Sequence, residues 1–349
     1  MPSRHTRFAK KLAEEAGLVL VGPEALTITR ENRGRGYAFR NKDGDLIRDL
    51  EVIDRLKSLA VPPAYRNVRY AADPRAHLQA IGEDAAGRLQ YRYHADWDKV
   101  REVLKARRLV TLAKTLPVIR RRVGRALCTK RPDLAFCASA VVELTALTAI
   151  RPGSESYARE HGTRGATTLL KANARIVGDR IALTFKGKGG KRVEKEVISP
   201  RLARALERLR EIPGRRLFQY VDAHGDVHVV RAEDVNAYLK RISGKSISLK
   251  DFRTLVASVE ALESLMEMEP ATSARARRSQ ARKAIAEVAE DLANTPAICR
   301  KSYVHVAIVE AFEDGRLARV RKKPQRSGTA ASFELLARIV AGHTLQRET

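Results

Sequence analysis

The spacing of apolar residues changes character once along this chain, near residues 94–98, and that change constrains the fold more than any other feature. From about residue 18 to residue 93 the runs are short and alternate, as in GYAFRNKDGDLIRDLEV around a Lys42-Asp43-Gly44 turn, VPPAYRNVRYA and GRLQYRYH. Successive side chains of a strand point to opposite faces, so this alternation predicts strands, and the first run predicts a hairpin. From about residue 96 the period lengthens to that of helices, in DWDKVREVLKARRLVTLAKTLPVIRRRVGRAL, in FCASAVVELTALTAI, and at residues 202–209, 232–239, 255–266 and 285–292. One stretch interrupts the helices. ARIVGDRIALTFKGKGGKRVEKEVI holds three β-like runs split at Gly178-Asp179 and at Gly187-Lys188-Gly189-Gly190, which predicts a small antiparallel sheet with a glycine-rich, lysine-bearing tip. The expected fold class is α+β: a small β-rich N-terminal domain over residues 1–95 and a larger, mainly α-helical domain over residues 96–349, with a small β-hairpin sheet inserted. After Phe312 the basic run RLARVRKKPQRSG is expected to be a mobile segment, and SFELLARIVAGH to fold back onto the helical domain.

Charge narrows the partner. The chain carries 67 Lys and Arg against 41 Asp and Glu, a net +26 over 349 residues. Each phosphate neutralised by such side chains releases condensed counterions, so an excess of this size points to a polyanionic partner, nucleic acid above all. No apolar run approaches the roughly 20 residues that a membrane helix needs, and the polar start MPSRHTRFAKKLAEEAG lacks the apolar stretch of a secretory signal. Cys128, Cys137 and Cys299 have neither metal-ligand spacing nor an even count, which suits a reduced, cytoplasmic and nucleoid-associated setting. His224 and His228 stand four apart, but Gly225-Asp226 between them reads as a hairpin turn rather than as a helix that could hold a metal. No metal site and no cofactor are expected, so chemistry falls to side chains.

Four signals could carry that chemistry, and each has a plain structural reading beside it. In NTPAICRKSYVH, Asn294 suits a left-handed helix stop, Thr295 caps the next helix with Pro296 at its first position, and Cys299, Tyr303 and Val306 share one helical face. From periodicity alone Tyr303 reads as a core tyrosine. A free phenol with a pKa near 10 is only about 0.1 % ionised at pH 7, so a tyrosine nucleophile needs cations nearby, and Arg300-Lys301 adjoin this one. Arg151 follows the apolar run 141–150 and precedes Pro152-Gly153, where a cation also suits a helix C-terminus. Arg253 stands three residues after Lys250 at a helix start, which reads equally as a surface charge cluster. Lys188 lies at the glycine-rich tip, where a solvated turn residue is the ordinary reading.

In order and spacing these residues resemble the type IB DNA topoisomerases, in the compact form of bacteria and poxviruses. The resemblance runs from the β-rich part to Phe312, through LAVPPAYRNVRY, HLQAIGEDAAGRLQYRYH, AIRPGSESYARE, HGTRGATTL, FKGKGGKR, LFQYVDAHGD, DVNAYL, KDFRT and ANTPAICRKSYVH. It implies a catalytic domain of the tyrosine recombinase and type IB topoisomerase kind. It further implies that Tyr303 attacks a DNA phosphodiester and becomes joined to the 3′ phosphate, that the freed strand swivels, and that resealing needs neither ATP nor metal. Arg151 and Arg253 match the arginines that bind the non-bridging oxygens, and Lys188 matches the lysine that protonates the leaving 5′ oxygen, with Lys186 and Lys191 as neighbours that could take its place. Asn294 stands where the family has histidine or asparagine. Gln90, Tyr91 and Tyr93 match a strand that touches bases and backbone, Gly153 and Tyr157 match phosphate contacts, and Lys250 joins this DNA-facing set. A monomer closing as a clamp around the duplex is implied. Pro152, Leu255, Ala257 and Val306 depart from the family's usual residues.

Two other functions compete. A tyrosine site-specific recombinase shares the chemistry, although its usual His-x-x-Arg is here Lys250-x-x-Arg253. A DNA-architectural protein without catalysis would carry the same charge.

Overall fold

The computed structural model describes residues 4–34, 36–321 and 329–348. They form two compact units, Met1–Lys105 and Ala106–Thr349.

The first unit opens with α1 (Arg4–Glu15), followed by β1 (Ile28–Asn32), β2 (Tyr37–Arg40), α2 (Leu50–Ser58), β3 (Arg66–Tyr70), β4 (Leu78–Glu83) and β5 (Leu89–Tyr93). The strands make one antiparallel sheet in the order β2-β1-β3-β4-β5, which leaves β5 at an edge. Ile28, Phe39, Val68, Tyr70 and Ala80 of the sheet pack with Leu56 of α2, and the Phe39 and Tyr70 rings meet edge-on at 5.6 Å. The expected hairpin over GYAFRNKDGDLIRDLEV is only half present. The chain does turn at Lys42-Asp43-Gly44, with Asn41 N donating to Asp45 O at 2.9 Å, but it returns through a single bridge between Arg40 and Leu46. Asp49 then caps α2, its carboxylate accepting from Glu51 N at 2.9 Å and Val52 N at 3.3 Å. A capping carboxylate satisfies helix amides that a strand would leave to a partner, so the helix wins there and β2 pairs with β1 instead.

The division between the units falls within α3 (Trp97–Leu127). In the second unit Leu109, Leu112, Leu116, Ile119, Val123 and Leu127 of this helix are buried at spacings of three and four, one apolar stripe on an otherwise basic helix. Next come α4 (Leu134–Thr148), α5 (Glu155–Glu160), β6 (Ala174–Val177), β7 (Arg180–Lys186), β8 (Arg192–Ile198) and α6 (Pro200–Glu211). After β9 (Gln219–Val221) and β10 (Val227–Val229) the chain is helical: α7 (Ala232–Ser243), α8 (Leu249–Glu267), α9 (Ala274–Asp291), α10 (Pro296–Ser302), α11 (Val306–Glu313), α12 (Arg316–Arg321) and α13 (Thr329–Glu348).

Helix α4 is buried nearly all round, from Phe136 through Leu144, as befits a helix enclosed by α6, α7 and α8. It is the axis of the unit, and truncating Leu144 to Ala there would cost about 2–5 kcal/mol. The inserted sheet has the expected three antiparallel strands in the order β6-β7-β8. The β9–β10 hairpin turns at Gly225-Asp226, and His228 Nε2 lies 2.8 Å from Asp222 Oδ2. Among the described residues no cluster of His, Cys, Asp and Glu could hold a metal, and no helix is long and apolar enough to cross a membrane. Helix α13 does fold back, burying Phe333, Leu335, Leu336 and Val340 in the main core. Of the basic run, α12 takes the beginning, and residues 322–328 lie outside the described residues.

Candidate active site

Arg253 organises the second unit's polar centre. The reading of it as a surface charge does not hold: it is 3 % exposed on the inward face of α8. A buried guanidinium must spend its donors on acceptors. Here Nη1 donates to Ala149 O and Nη2 to Leu292 O, while Nε has no hydrogen-bond partner among the described residues. Both carbonyls come from helix ends. Ala149 terminates α4 and Ala293 follows the end of α9, and both have left-handed backbones, with φ of 50° and 49°. A side chain in that conformation costs about 1–2 kcal/mol, so two strained alanines frame one arginine. The left-handed stop expected at Asn294 is therefore one residue earlier. Asn294 N closes the end of α9 by bonding Ala289 O at 2.8 Å.

Asn294 instead presents its amide to Arg151, whose Nη2 donates to Asn294 Oδ1 at 2.7 Å. Arginine has no acceptor, so the amide oxygen must face it and the Nδ2 group points elsewhere. That Nδ2 is buried and has no hydrogen-bond partner among the described residues. Arg151 lies three residues after the end of α4, and its loop is fastened from the side: Ala166 N donates to Arg151 O and Thr167 N to Pro152 O, each at 2.8 Å. A Cβ on Gly165 would come within 2.5 Å of Arg151 O, and Gly153, at φ 101°, faces Thr168 Oγ1 at 2.9 Å from where its own Cβ would be. The two glycines let the strands of this loop touch, which fixes Arg151.

Tyr303 is not inside a helix. Thr295 caps α10 as expected, accepting from Ile298 N at 3.3 Å, but α10 ends at Ser302 and Tyr303 is its C-cap. Val306 begins α11, so the face shared by Cys299, Tyr303 and Val306 is not continuous. The break has a polar cause: Ser258 Oγ donates to Tyr303 O at 3.0 Å and accepts from His305 N at 3.2 Å, and the His305 ring caps α11 at Ala307 N. The Tyr303 ring packs against the core while the Arg253 guanidinium stands over it, 4.9 Å from the centroid. Burial alone would push the phenol up, but the charge of Arg253, with those of Arg151 and Lys250, holds it below the usual tyrosine value. Lys250 itself is exposed on the first turn of α8. Burial, then the charge of Arg151, lowers the pKa of Arg253.

Lys188 reaches the same place on the inserted sheet. Gly189 and Gly190, at φ 71° and 77°, make the tip, closed by Gly187 N to Lys191 O at 2.7 Å. Arg151, Lys188 and Arg253 line one cleft, and so do Arg164, Lys195 and Asp291. Lys186 is exposed on the outward face of β7, opposite the buried Phe185. Lys195 ion-pairs with Asp291 at the end of α9. Glu260, two turns after Arg253 on α8, has an Oε2 without a hydrogen-bond partner among the described residues. Burial, then the charge of Asp291, pushes Glu260 up to about 7 against the pull of Lys195.

Sequence reasoning missed Arg164, Lys195, Ser258 and Glu260. Lys195 had a visible signal: it takes the inward phase of β8, level with Val193 and Val197. Glu260 had another, as a carboxylate one turn from Ala257 on a face that is otherwise buried.

The other residues for which the family resemblance implies DNA contact fall in both units. On β5 of the first unit Tyr91 and Tyr93 are 46 % and 40 % exposed, with rings stacked 6.2 Å apart, and Gln90 Nε2 donates to Asp84 Oδ2 at 3.0 Å. In the second unit Tyr157 on α5 is exposed and meets the His161 ring at 5.5 Å.

The second unit is thus a helical core with a three-stranded insert, whose lysine-bearing tip joins two arginines at one cleft. Residues 94–327 match the family model for the catalytic core of eukaryotic DNA topoisomerase I, and residues 36–84 match the model for the N-terminal domain of bacterial DNA topoisomerase IB. The chain belongs to the type IB DNA topoisomerases. It is 30 % identical over 285 residues to DNA topoisomerase 1B of Acanthamoeba polyphaga mimivirus, covering 80 % of this chain and 84 % of that one. DNA topoisomerase I of monkeypox virus and DNA topoisomerase 1B of vaccinia virus (strain Copenhagen) are each 23 % identical over 278 residues, covering 75 % of this chain and 79 % of theirs.

Proposed function

We propose that the protein relaxes supercoiled double-stranded DNA by transient cleavage of one strand through a 3′-phosphotyrosyl intermediate on Tyr303, with no need of ATP or a metal ion. The observation that carries this reading is the buried Arg253, which lines the cleft with Arg151 and Lys188 and at the same time overlies the Tyr303 ring. In the proposed reaction the Tyr303 oxygen bonds to phosphorus as the bond to the 5′ oxygen breaks. The phenolic proton passes to water and Lys188 protonates the departing oxygen. Negative charge grows on the non-bridging oxygens, where the planar guanidinium groups of Arg151 and Arg253 bind it. The Nδ2 of Asn294, buried and without a partner among the described residues, supplies a neutral hydrogen bond to the same phosphate. The phosphotyrosyl bond conserves the energy of the broken one, so the freed strand rotates and the 5′ hydroxyl then reverses the step.

DNA affinity comes from phosphate contacts of the +26 chain, with Gln90, Tyr91 and Tyr93 on one unit and Gly153, Tyr157 and Lys250 on the other. The protein acts as a monomer that closes as a clamp on the duplex, in the cytoplasm at the nucleoid. Detergent-trapped reactions on a labelled duplex, resolved on denaturing gels, test the chemistry. Wild type is expected to leave a covalent adduct on the 3′ end, and Tyr303→Phe none, with DNA affinity retained. Arg151→Ala and Arg253→Lys are each expected to slow cleavage by about 10²–10³-fold. An adduct on the 5′ end, or one that survives in Tyr303→Phe, overturns the assignment.

A further inference from the structure

We propose that Arg164 is a third arginine on the cleaved phosphodiester, supplying at the transition state the positive charge that Asn294 does not. The inference rests on the reading of the cleft as the phosphate site.

Its placement is built by the backbone. Arg164 N donates to Lys186 O at 2.7 Å, on the strand that leads to Lys188. One and two residues later, Gly165 abuts Arg151 O and Ala166 N donates to it. Arg164 therefore lies where the hairpin of the general acid meets the loop of the first arginine, and it lines the cleft that both share.

Its availability sets it apart from its neighbours. Arg151 is engaged by Asn294, Arg253 by two carbonyls and Lys195 by Asp291. Glu155, the acid whose charge acts on Arg164, has Arg216 as its ion-pair partner. Among the described residues no hydrogen bond or ion pair engages the Arg164 guanidinium. Burial, then the charge of Arg216, lowers its pKa, the response of a cation held among cations without an anion of its own. A phosphate in the cleft supplies that anion.

The chemistry calls for it. As the phosphorane forms, the non-bridging oxygens gain charge, and a planar guanidinium can meet two of them at once. Asn294 contributes a donor but no charge.

The test is single-turnover cleavage of a duplex whose short 5′ fragment dissociates after the break, with the scissile linkage either a phosphodiester or a methylphosphonate. Wild type, Arg164→Ala and Arg164→Gln are compared; the residue is only half-buried and its backbone bond survives both changes. On the phosphodiester each variant is expected to be about 10²-fold slower than wild type. On the methylphosphonate, which lacks the negative charge, the penalty is expected to shrink to less than about tenfold. Equal penalties on both linkages would mean that Arg164 only steadies the hairpin, and rates near wild type on the phosphodiester would mean that it has no part; either overturns the proposal while the phosphotyrosyl reading stands. Absence of any adduct with wild type removes both.

Discussion

The guanidinium carbon of Arg253 stands 4.9 Å from the centre of the Tyr303 ring. This contact joins the group that would bind phosphate to the group that would attack it. Because the charge of Arg253 offsets the burial of the phenol, Tyr303 is expected to ionise below the ordinary tyrosine value of about 10. Ultraviolet difference titration of wild type against Tyr303→Phe isolates this phenol. In Arg253→Gln its transition is expected to move to higher pH. A transition that stays in place would mean that the arginine does not tune the nucleophile.

Asn294 has two faces, and they can be separated. Its oxygen holds Arg151, whereas its Nδ2 has no hydrogen-bond partner among the described residues. Asn294→Asp keeps an acceptor for Arg151 but removes the donor and adds a negative charge. Its cleavage rate is expected to fall at least as far as that of Asn294→Ala, each by about tenfold or more. Asn294→His, which restores a donor, is expected to lose least. Single-turnover cleavage orders the three, and an Asp variant near wild type would exclude the donor role.

Glu260 makes stability depend on pH. Its carboxyl is pushed up to about 7 in the fold, from 4.5. The sign follows from linkage: the fold favours the protonated form, so this contribution is whole below the unfolded pKa and is lost as pH rises through about 7. Glu260→Gln stays neutral throughout. Its melting temperature relative to wild type is expected to rise between about pH 4.5 and 7 and then level off. A difference that is flat with pH would contradict the shift.

Ala149 and Ala293 carry strain that glycine would relieve. Ala149→Gly and Ala293→Gly are each expected to raise stability by about 1 kcal/mol, read from urea unfolding, because an L side chain at positive φ is disfavoured. Loss of stability in either would show that the surrounding helix ends, not the alanine, set the backbone there.

Much of this was legible in the sequence because the signals were periodic or local. The helices α4, α8 and α9, the strands of the inserted sheet and the Thr295-Pro296 cap all follow from spacing and capping chemistry. What escaped depends on contacts remote in sequence. Arg253 looked like a surface charge because its acceptors, Ala149 O and Leu292 O, lie 104 and 39 residues away. The break after Tyr303 is imposed by Ser258, 45 residues earlier, and no local pattern announces it. The half-formed hairpin at residues 36–52 failed for a local reason, since Asp49 outbid the strand as a helix cap. Family resemblance named Arg151, Lys188, Arg253, Asn294 and Tyr303, but it could not name Arg164 or Lys195, whose standing comes only from the cleft they line.

The central claim, strand swivelling about a tyrosyl-linked nick without added energy or metal, is tested most directly by relaxing a negatively supercoiled plasmid in EDTA without ATP. The plasmid needs no special site. Wild type is expected to convert it to relaxed topoisomers, and Tyr303→Phe to leave it supercoiled. Relaxation that requires magnesium or ATP, or a wild type that binds the plasmid and leaves its linking number unchanged, would contradict the account.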